Sequence, residues 1–163
     1  MIGPSRISYW LAFALPAALA IGCLSSGCSA KPVSSEDETT TDLRAIARAY
    51  EVVTAASNRP PRELDQIKKV LADLHTDGLI ADAPLDVLTS SRDGQPYVII
   101  LGADLGASLS DEILVYEKNG AEGKRYVFLM NYEIPQMTDE QFGKAAFARG
   151  HKPNETATPA ASP

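Results

Sequence analysis

The chain has 163 residues, a formal net charge of −6 and 45% hydrophobic residues, which is an ordinary globular composition with room for one domain. Lysine and arginine are scattered rather than clustered, so the sequence offers no basic stripe for a phosphate backbone and we expect no nucleic-acid partner. Both cysteines, Cys23 and Cys28, lie in the first thirty residues. The folded part is therefore expected to depend on its apolar core, without a disulfide or a thiolate metal site.

Residues 1–27 have the pattern of a secretory signal peptide. Arg6 is followed by an uncharged apolar run, ISYWLAFALPAALAIG, and this order is that of the charged and apolar regions of such a signal. A permanent transmembrane helix is the less favoured alternative, because about 20 apolar residues are needed to cross a bilayer.

Small residues stand directly before each cysteine, in the segments AIGC and LSSGC. Both segments resemble the lipobox of bacterial lipoproteins, in which the cysteine receives a diacylglycerol and the leader is removed before it. The resemblance implies a lipid-anchored envelope protein that faces the periplasm. Cys28 is favoured as the lipidated residue over Cys23, because the small residues Ser29 and Ala30 follow it. Ordinary secretion with cleavage near Ala30 is the alternative.

Two segments of the mature chain lack the apolar side chains that a core requires. Residues 28–41 predict a disordered tether, and residues 151–163 predict a disordered tail rich in proline, alanine and threonine. The globular domain is accordingly predicted over residues 42–150.

Two helices are predicted at the start of this domain. Thr41 or Asp42 caps the first, which ends near Asn58 because two prolines follow it. The second covers residues 62–75 and ends at Asp77 and Gly78. The inward face of the first helix is predicted from helical spacing to comprise Leu43, Ile46, Ala47, Tyr50 and Val53.

From residue 86 the helical spacing of apolar residues is replaced by short runs of β-branched and aromatic residues, which predict three buried strands. Asn119, Gly120 and Gly123 lie between the second and third runs and predict an antiparallel hairpin. Residues 133–135 predict a brief fourth strand at a sheet edge, because Pro135 has no backbone N–H. The three buried runs are residues 97–101, 113–116 and 126–130.

Thr138 and Gln141 form a capping box for a last short helix, with Phe142, Ala145 and Ala146 inward and Gly150 past its end. The whole order predicts an α+β fold. The N-terminal helices pack on a small antiparallel meander of three to four strands, and a short C-terminal helix completes the domain.

The segments LRAIARAYEVVTAASNRPP, ILVYEKN and YVFLMNYEIPQMTDEQF resemble the globular part of pseudopilin-like exported proteins, the type II secretion and type IV pilin-like group. The matching features are the loop at Pro60 and Pro61, the strand with Tyr116 and Glu117, and the helix capped by Thr138. The resemblance implies the same helix and meander fold. The prepilin leader is absent and a lipobox stands in its place, so we do not expect pilin-like polymerisation.

The two histidines, His75 and His151, share no local element with a serine or aspartate partner, and Ser108 and Ser110 lack the glycine framing of a nucleophile elbow. We therefore expect neither an enzyme nor a cofactor. The tyrosines at the strands, which could stack on a carbohydrate, are predicted instead to pack in the core or against side chains of neighbouring strands. They are Tyr97, Tyr116, Tyr126 and Tyr132.

Asp104, Asp111 and Glu112 lie around one loop and are candidate ligands for Ca²⁺. Their spacing matches no EF-hand, so a solvated acidic loop is the preferred interpretation and no metal is expected. The sequence as a whole predicts a non-catalytic interaction or accessory module that contacts the membrane through its lipid and other envelope proteins. The alternative is a periplasmic lipoprotein that binds a small ligand or calcium.

Overall fold

A computed structural model describes residues 35–106 and 109–153. The predicted leader, Cys23, Cys28 and Ser108 lie outside the described residues, as do residues 154–163 of the predicted tail. The elements, in chain order, are α1 (Ser35–Ser57), α2 (Leu64–Thr76), α3 (Pro84–Val87), β1 (Val98–Ile99), β2 (Ile113–Tyr116), β3 (Lys124–Leu129), β4 (Gln136–Thr138), α4 (Asp139–Lys144) and a final 3₁₀ turn (Ala148–Gly150).

The four strands form one antiparallel sheet in the order β1-β2-β3-β4. Consecutive strands are neighbours, as in a meander, and β2 pairs with β3 from Ile113 opposite Leu129 to Tyr116 opposite Val127. The α+β fold and the hairpin predicted from Asn119, Gly120 and Gly123 are therefore confirmed. In the described part of the chain, no helix is both long and apolar enough to cross a membrane.

Helix α1 presents the apolar face that its spacing predicts. Leu43, Ile46 and Tyr50 have no exposed surface, and Val53 is only 8% exposed. This face packs against α2 and β3, so the stripe forms the centre of the domain core. Each such side chain contributes about 1.5–3 kcal/mol by leaving water.

The predicted start of α1 is wrong, because the helix begins at Ser35 and not after Thr41 or Asp42. The tether prediction fails for residues 35–41 for the same reason. Thr39 is fully buried and Asp42 is 4% exposed, so the first turns of the helix pack on the domain. Acidic residues in the first turn also favour the helix through its dipole. Composition alone did not reveal that these polar turns are covered.

Helix α2 begins slightly later and ends one residue later than predicted. Gly78 ends it in the left-handed region at φ +70°, as the sequence predicts. The Gly78 N–H donates to His75 O, and the Leu79 N–H donates to Leu74 O at 2.9 Å. This pair of bonds is a Schellman motif, which satisfies the last carbonyls of the helix.

The fourth strand lies at Gln136–Thr138 and not at residues 133–135. A tight turn precedes the predicted position, since the Tyr132 N–H donates to Leu129 O, and residues 133–135 lead from it into β4 while Glu133 O and Pro135 O accept the N–H groups of Leu129 and Val127. The first strand is likewise shorter than predicted, because only Val98 and Ile99 pair with β2. The sequence pattern identifies the segments that form strands, but it does not show at which residue each strand begins to pair with its neighbour.

The capping box of α4 is confirmed, since the Gln141 N–H donates to Thr138 Oγ1 at 3.3 Å and the Thr138 N–H to Gln141 Oε1 at 2.9 Å. Phe142 is buried, as predicted. Ala146 is exposed and Phe147 takes the buried position, because the helix ends at Lys144 and the chain extends beyond it.

The domain also extends past its predicted end at residue 150. His151 was assigned to the tail, but its Nε2 lies 3.1 Å from Tyr116 Oη. Its ring packs edge-on against Phe147, with centroids 6.0 Å apart. The tail prediction is therefore wrong for His151, because an imidazole can pack on aromatic rings as well as remain in water.

Tyr50 attaches α1 to the chain beyond β1. Its hydroxyl donates to Ala103 O at 2.8 Å and accepts the Ala103 N–H at 2.9 Å. Both partners are backbone groups of a buried residue, and buried backbone groups need a hydrogen-bond partner.

We expect Tyr50→Phe to lower the free energy of unfolding by about 1–3 kcal/mol, because it leaves buried backbone groups unpaired. Tyr132→Phe, at a ring that is 44% exposed, should change it by less than about 0.5 kcal/mol. Urea denaturation of both variants measures this difference. Equal effects would contradict the role of Tyr50.

Candidate functional site

The predicted calcium ligands do not form a shared site. Asp111 Oδ1 accepts a hydrogen bond from Asn131 Nδ2 at 2.9 Å, and Glu112 Oε2 accepts one from Ser110 Oγ at 3.2 Å. Asp104 is exposed. Across residues 35–106 and 109–153, no group of three His, Cys, Asp or Glu side chains is placed to hold a metal ion.

The strand tyrosines divide into two kinds of environment. Tyr97 and Tyr116 are buried, as predicted for core packing, whereas Tyr126 is half-buried and Tyr132 is 44% exposed. Tyr132 holds its backbone at φ +71°, a conformation that is unfavourable for an aromatic residue. Its ring packs edge-on against Phe128 at 6.0 Å, and this contact offsets the strain.

The strongest polar constellation is centred on Glu117, which directly follows β2 and has no exposed surface. Its Oε1 accepts from Ser90 Oγ at 2.8 Å, and its Oε2 accepts from Arg92 Nη1 at 2.7 Å. The Tyr126 N–H donates to the same Oε2 at 2.6 Å. Three donors from two separate parts of the chain therefore converge on one buried carboxylate.

The neighbouring Asp93 extends this attachment to the β2–β3 hairpin. Its Oδ2 accepts the N–H groups of Asn119 and Gly120, each at 2.9 Å. Its Oδ1 accepts the N–H of Gln95 at 2.9 Å. The loop of residues 90–95 is thus joined to the hairpin twice, in the interior through Ser90 and Arg92 and nearer the surface through Asp93.

This arrangement is suited to holding the fold and not to acid–base chemistry. Both Glu117 oxygens are occupied, and the Arg92 side chain is only 7% exposed. The Ser90 hydroxyl is fully buried and donates to a carboxylate that is already an ion-pair partner. A general base must reach a substrate proton within about 3 Å, whereas the Glu117 oxygens are in contact with donors of the chain itself.

Asp42 is the second buried carboxylate, and it lies on α1 opposite Tyr97. The Tyr97 hydroxyl donates to Asp42 Oδ2 at 3.3 Å. Burial raises the pKa of Asp42 to about 7, against a smaller lowering by the Tyr97 hydrogen bond. The carboxylates of Glu38, Asp82 and Asp86 raise it further by repulsion. The same burial raises the pKa of Tyr97 above its usual value.

The described part of the surface carries exposed apolar side chains and shallow grooves. A groove of about 500 Å³ between β4 and α4 is lined by Pro135, Met137 and Ala145 together with Asp111 and Lys144. The outer face of α1 bounds a second groove of about 550 Å³. The exposed large apolar residues of the described chain are Leu64, Leu79, Leu85, Leu109 and Tyr132.

Comparisons with protein-family models, with curated proteins and with solved structures found no match to this chain.

The sequence alone does not identify Ser90 and Arg92 as partners of Glu117, nor Asp93 as the partner of the hairpin N–H groups. A usable signal was present, because Glu117 continues an uninterrupted buried run, ILVY. A charge that extends such a run has to find a partner. Which residue supplies that partner depends on tertiary contacts, so the motif SSRDGQ reads as an ordinary turn.

Asp42 should make stability depend on pH. Its pKa is raised from 3.8 to about 7 in the folded protein, so between these values the native state binds more protons than the unfolded state. Its contribution to stability is therefore lost as pH rises from about 4 to about 7, and it stays lost above that.

We expect Asp42→Asn to remove the part of the pH dependence of stability that is due to Asp42. The variant should be more stable than wild type at pH 8 by about 2–4 kcal/mol, since one pKa unit corresponds to about 1.4 kcal/mol. Urea denaturation from pH 4 to pH 8 measures it, with the exposed Asp104→Asn as the control. A parallel pH profile for Asp42→Asn and wild type would contradict the assignment.

Proposed function

We propose that this protein is a lipid-anchored, non-catalytic interaction or accessory module of the bacterial envelope, attached through Cys28 and facing the periplasm. The proposal of a non-catalytic role rests on the hydrogen bonds of the buried carboxylates. In the described residues these are Glu117 and Asp42, and both bond to groups of the chain itself. The side chains best suited to chemistry thus serve the fold.

The surface supports a role in contact with other proteins. A domain of this size has a core that can bury leucine side chains. Three leucines are nevertheless largely exposed to solvent: Leu79 (69%), Leu85 (69%) and Leu109 (75%). Single exposed leucines are common, but Leu79 and Leu85 belong to one short segment, and grouped apolar side chains on a surface are typical of interaction sites.

The start of α1 gives the proposed anchor a definite reach. The helix begins at Ser35, so seven Cα-to-Cα steps separate it from Cys28. A fully extended chain of that length spans about 25 Å. A lipidated Cys28 would accordingly keep the domain close to the membrane surface and restrict it to partners that are themselves in or near the membrane.

A second candidate function is the binding of a small ligand, and the groove between β4 and α4 favours it. Its apolar lining from Pro135, Met137 and Ala145, with Asp111 and Lys144 beside them, has the mixed chemistry of ligand pockets. A ligand that occupies it would raise the melting temperature by mass action. The groove is shallow, so we place this function second.

The anchor is tested by the intact mass of the protein extracted from membranes, for the native chain and for Cys28→Ser and Cys23→Ser. We expect the native chain to begin at Cys28 and to carry acyl mass. The Cys28→Ser variant should lose that mass, whereas Cys23→Ser should keep it.

Loss of the acyl mass in Cys23→Ser alone would move the anchor to Cys23. A native chain that is unmodified, or that retains its leader, would contradict the lipid anchor altogether.

A further inference from the structure

The connection between α2 and α3, together with α3 itself, exposes two leucines and three carboxylates, here called the α2–α3 surface. It consists of Leu79 and Leu85, each 69% exposed, and the exposed Asp77, Asp82 and Asp86. No lysine or arginine occurs from residue 70 to residue 91. The leucines are therefore flanked by negative charge and by no positive charge of their own segment.

The local structure fixes both leucines in ordered backbone. Leu79 follows the left-handed Gly78 of the Schellman motif and is bonded to Leu74 O at 2.9 Å. A residue in that place usually packs back onto the helix, yet most of Leu79 remains in water. Leu85 lies on α3, whose Val87 is the buried side chain, so Leu85 is left on the outside.

Helix α1 adds further negative charge to this surface. The Tyr97 hydroxyl bonds to Asp42 on α1, and the Tyr97 N–H donates to Leu88 O immediately after α3, so α3 lies beside the first half of α1. Asp82, Asp86 and Glu38 all repel the Asp42 carboxylate. Residues 35–43 of α1 also contain no lysine or arginine. The free protein thus concentrates uncompensated carboxylates in the segment that carries the two exposed leucines and in the neighbouring first half of α1.

We propose that the α2–α3 surface docks a cationic, amphipathic segment of a partner protein, an inference that rests on the interaction role proposed above. Apolar side chains of such a segment remove Leu79 and Leu85 from water. Its lysines or arginines lie against Asp82, Asp86 and Glu38 and are attracted by their carboxylates. An apolar centre with a charged rim is the usual anatomy of a protein interface.

The charge selects a protein segment over the bilayer as the occupant. A membrane surface rich in anionic lipid attracts basic segments and repels acidic ones. The carboxylates of the α2–α3 surface would oppose the insertion of Leu79 and Leu85 into such a surface. A cationic partner segment turns the same charges into attraction.

Two labelled peptides test the proposal, one of repeating Lys-Leu-Ala units and one with Glu in place of every Lys. Fluorescence anisotropy with the mature domain measures binding at low and at physiological salt. We expect the Lys peptide to bind and the Glu peptide not to bind. Leu79→Ser/Leu85→Ser should weaken binding of the Lys peptide about tenfold. Asp82→Asn/Asp86→Asn should weaken it several-fold and reduce its salt dependence.

The matched control is Asp104→Asn/Leu109→Ser, which removes one exposed carboxylate and one exposed leucine from another loop. It should bind the Lys peptide like wild type. If it weakens binding as much as the α2–α3 variants do, attraction is due to net charge and the proposed surface is wrong. Binding of the Glu peptide at equal strength would also overturn the proposal.

Vesicles of zwitterionic and of anionic lipid complete the test. Flotation of the acyl-free domain with vesicles, lost in Leu79→Ser/Leu85→Ser, would overturn the protein partner in favour of the bilayer. A crosslinking experiment distinguishes failure of this proposal from failure of the interaction role. Photocrosslinkers are placed at Leu79, Leu109 and Met137. If envelope proteins are captured at Leu109 and Met137 but not at Leu79, the interaction role stands and the α2–α3 surface is rejected.

Discussion

The structure depends on how one buried carboxylate is satisfied. Glu117 lies at the end of β2 without solvent contact, where an unpaired carboxylate would be strongly destabilising. Its donors come from Ser90 and Arg92 on one side and from the Tyr126 N–H on the other. The loop of residues 90–95 must therefore lie against the β2–β3 hairpin, and this requirement also fixes where β1 joins the sheet and where α3 meets α1.

Elements with a local signal could be predicted from the sequence. The apolar stripe of α1, Gly78 at the end of α2 and the Thr138 capping box each depend on residues a few positions apart. The start of α1 could not be predicted, because burial of Thr39 and Asp42 is a tertiary property. The β4 register and the partners of Glu117 were missed for the same reason, since they join residues that are distant in the chain.

The candidate site was less predictable than the fold. The sequence directed attention to the loop around Asp104, Asp111 and Glu112, whose carboxylates are separately placed or bonded elsewhere. The exposed leucines of the α2–α3 surface gave no signal, because helical and turn patterns do not distinguish a side chain that faces water from one that faces a neighbour. Buried polar groups hold this fold together, and we propose that exposed apolar groups contact partners.

The ion pair of Arg92 and Glu117 holds the loop of residues 90–95 on the hairpin, and a double-mutant cycle measures how strongly the two side chains are coupled. Arg92→Met should lower the free energy of unfolding at pH 8 by about 3–5 kcal/mol, because it leaves Glu117 as a buried, unpaired charge. Adding Glu117→Gln to that variant removes the charge, so we expect the double variant to be more stable than Arg92→Met alone. If Glu117→Gln instead destabilises Arg92→Met as much as it destabilises the wild type, the two side chains act independently and the ion pair does not hold the fold.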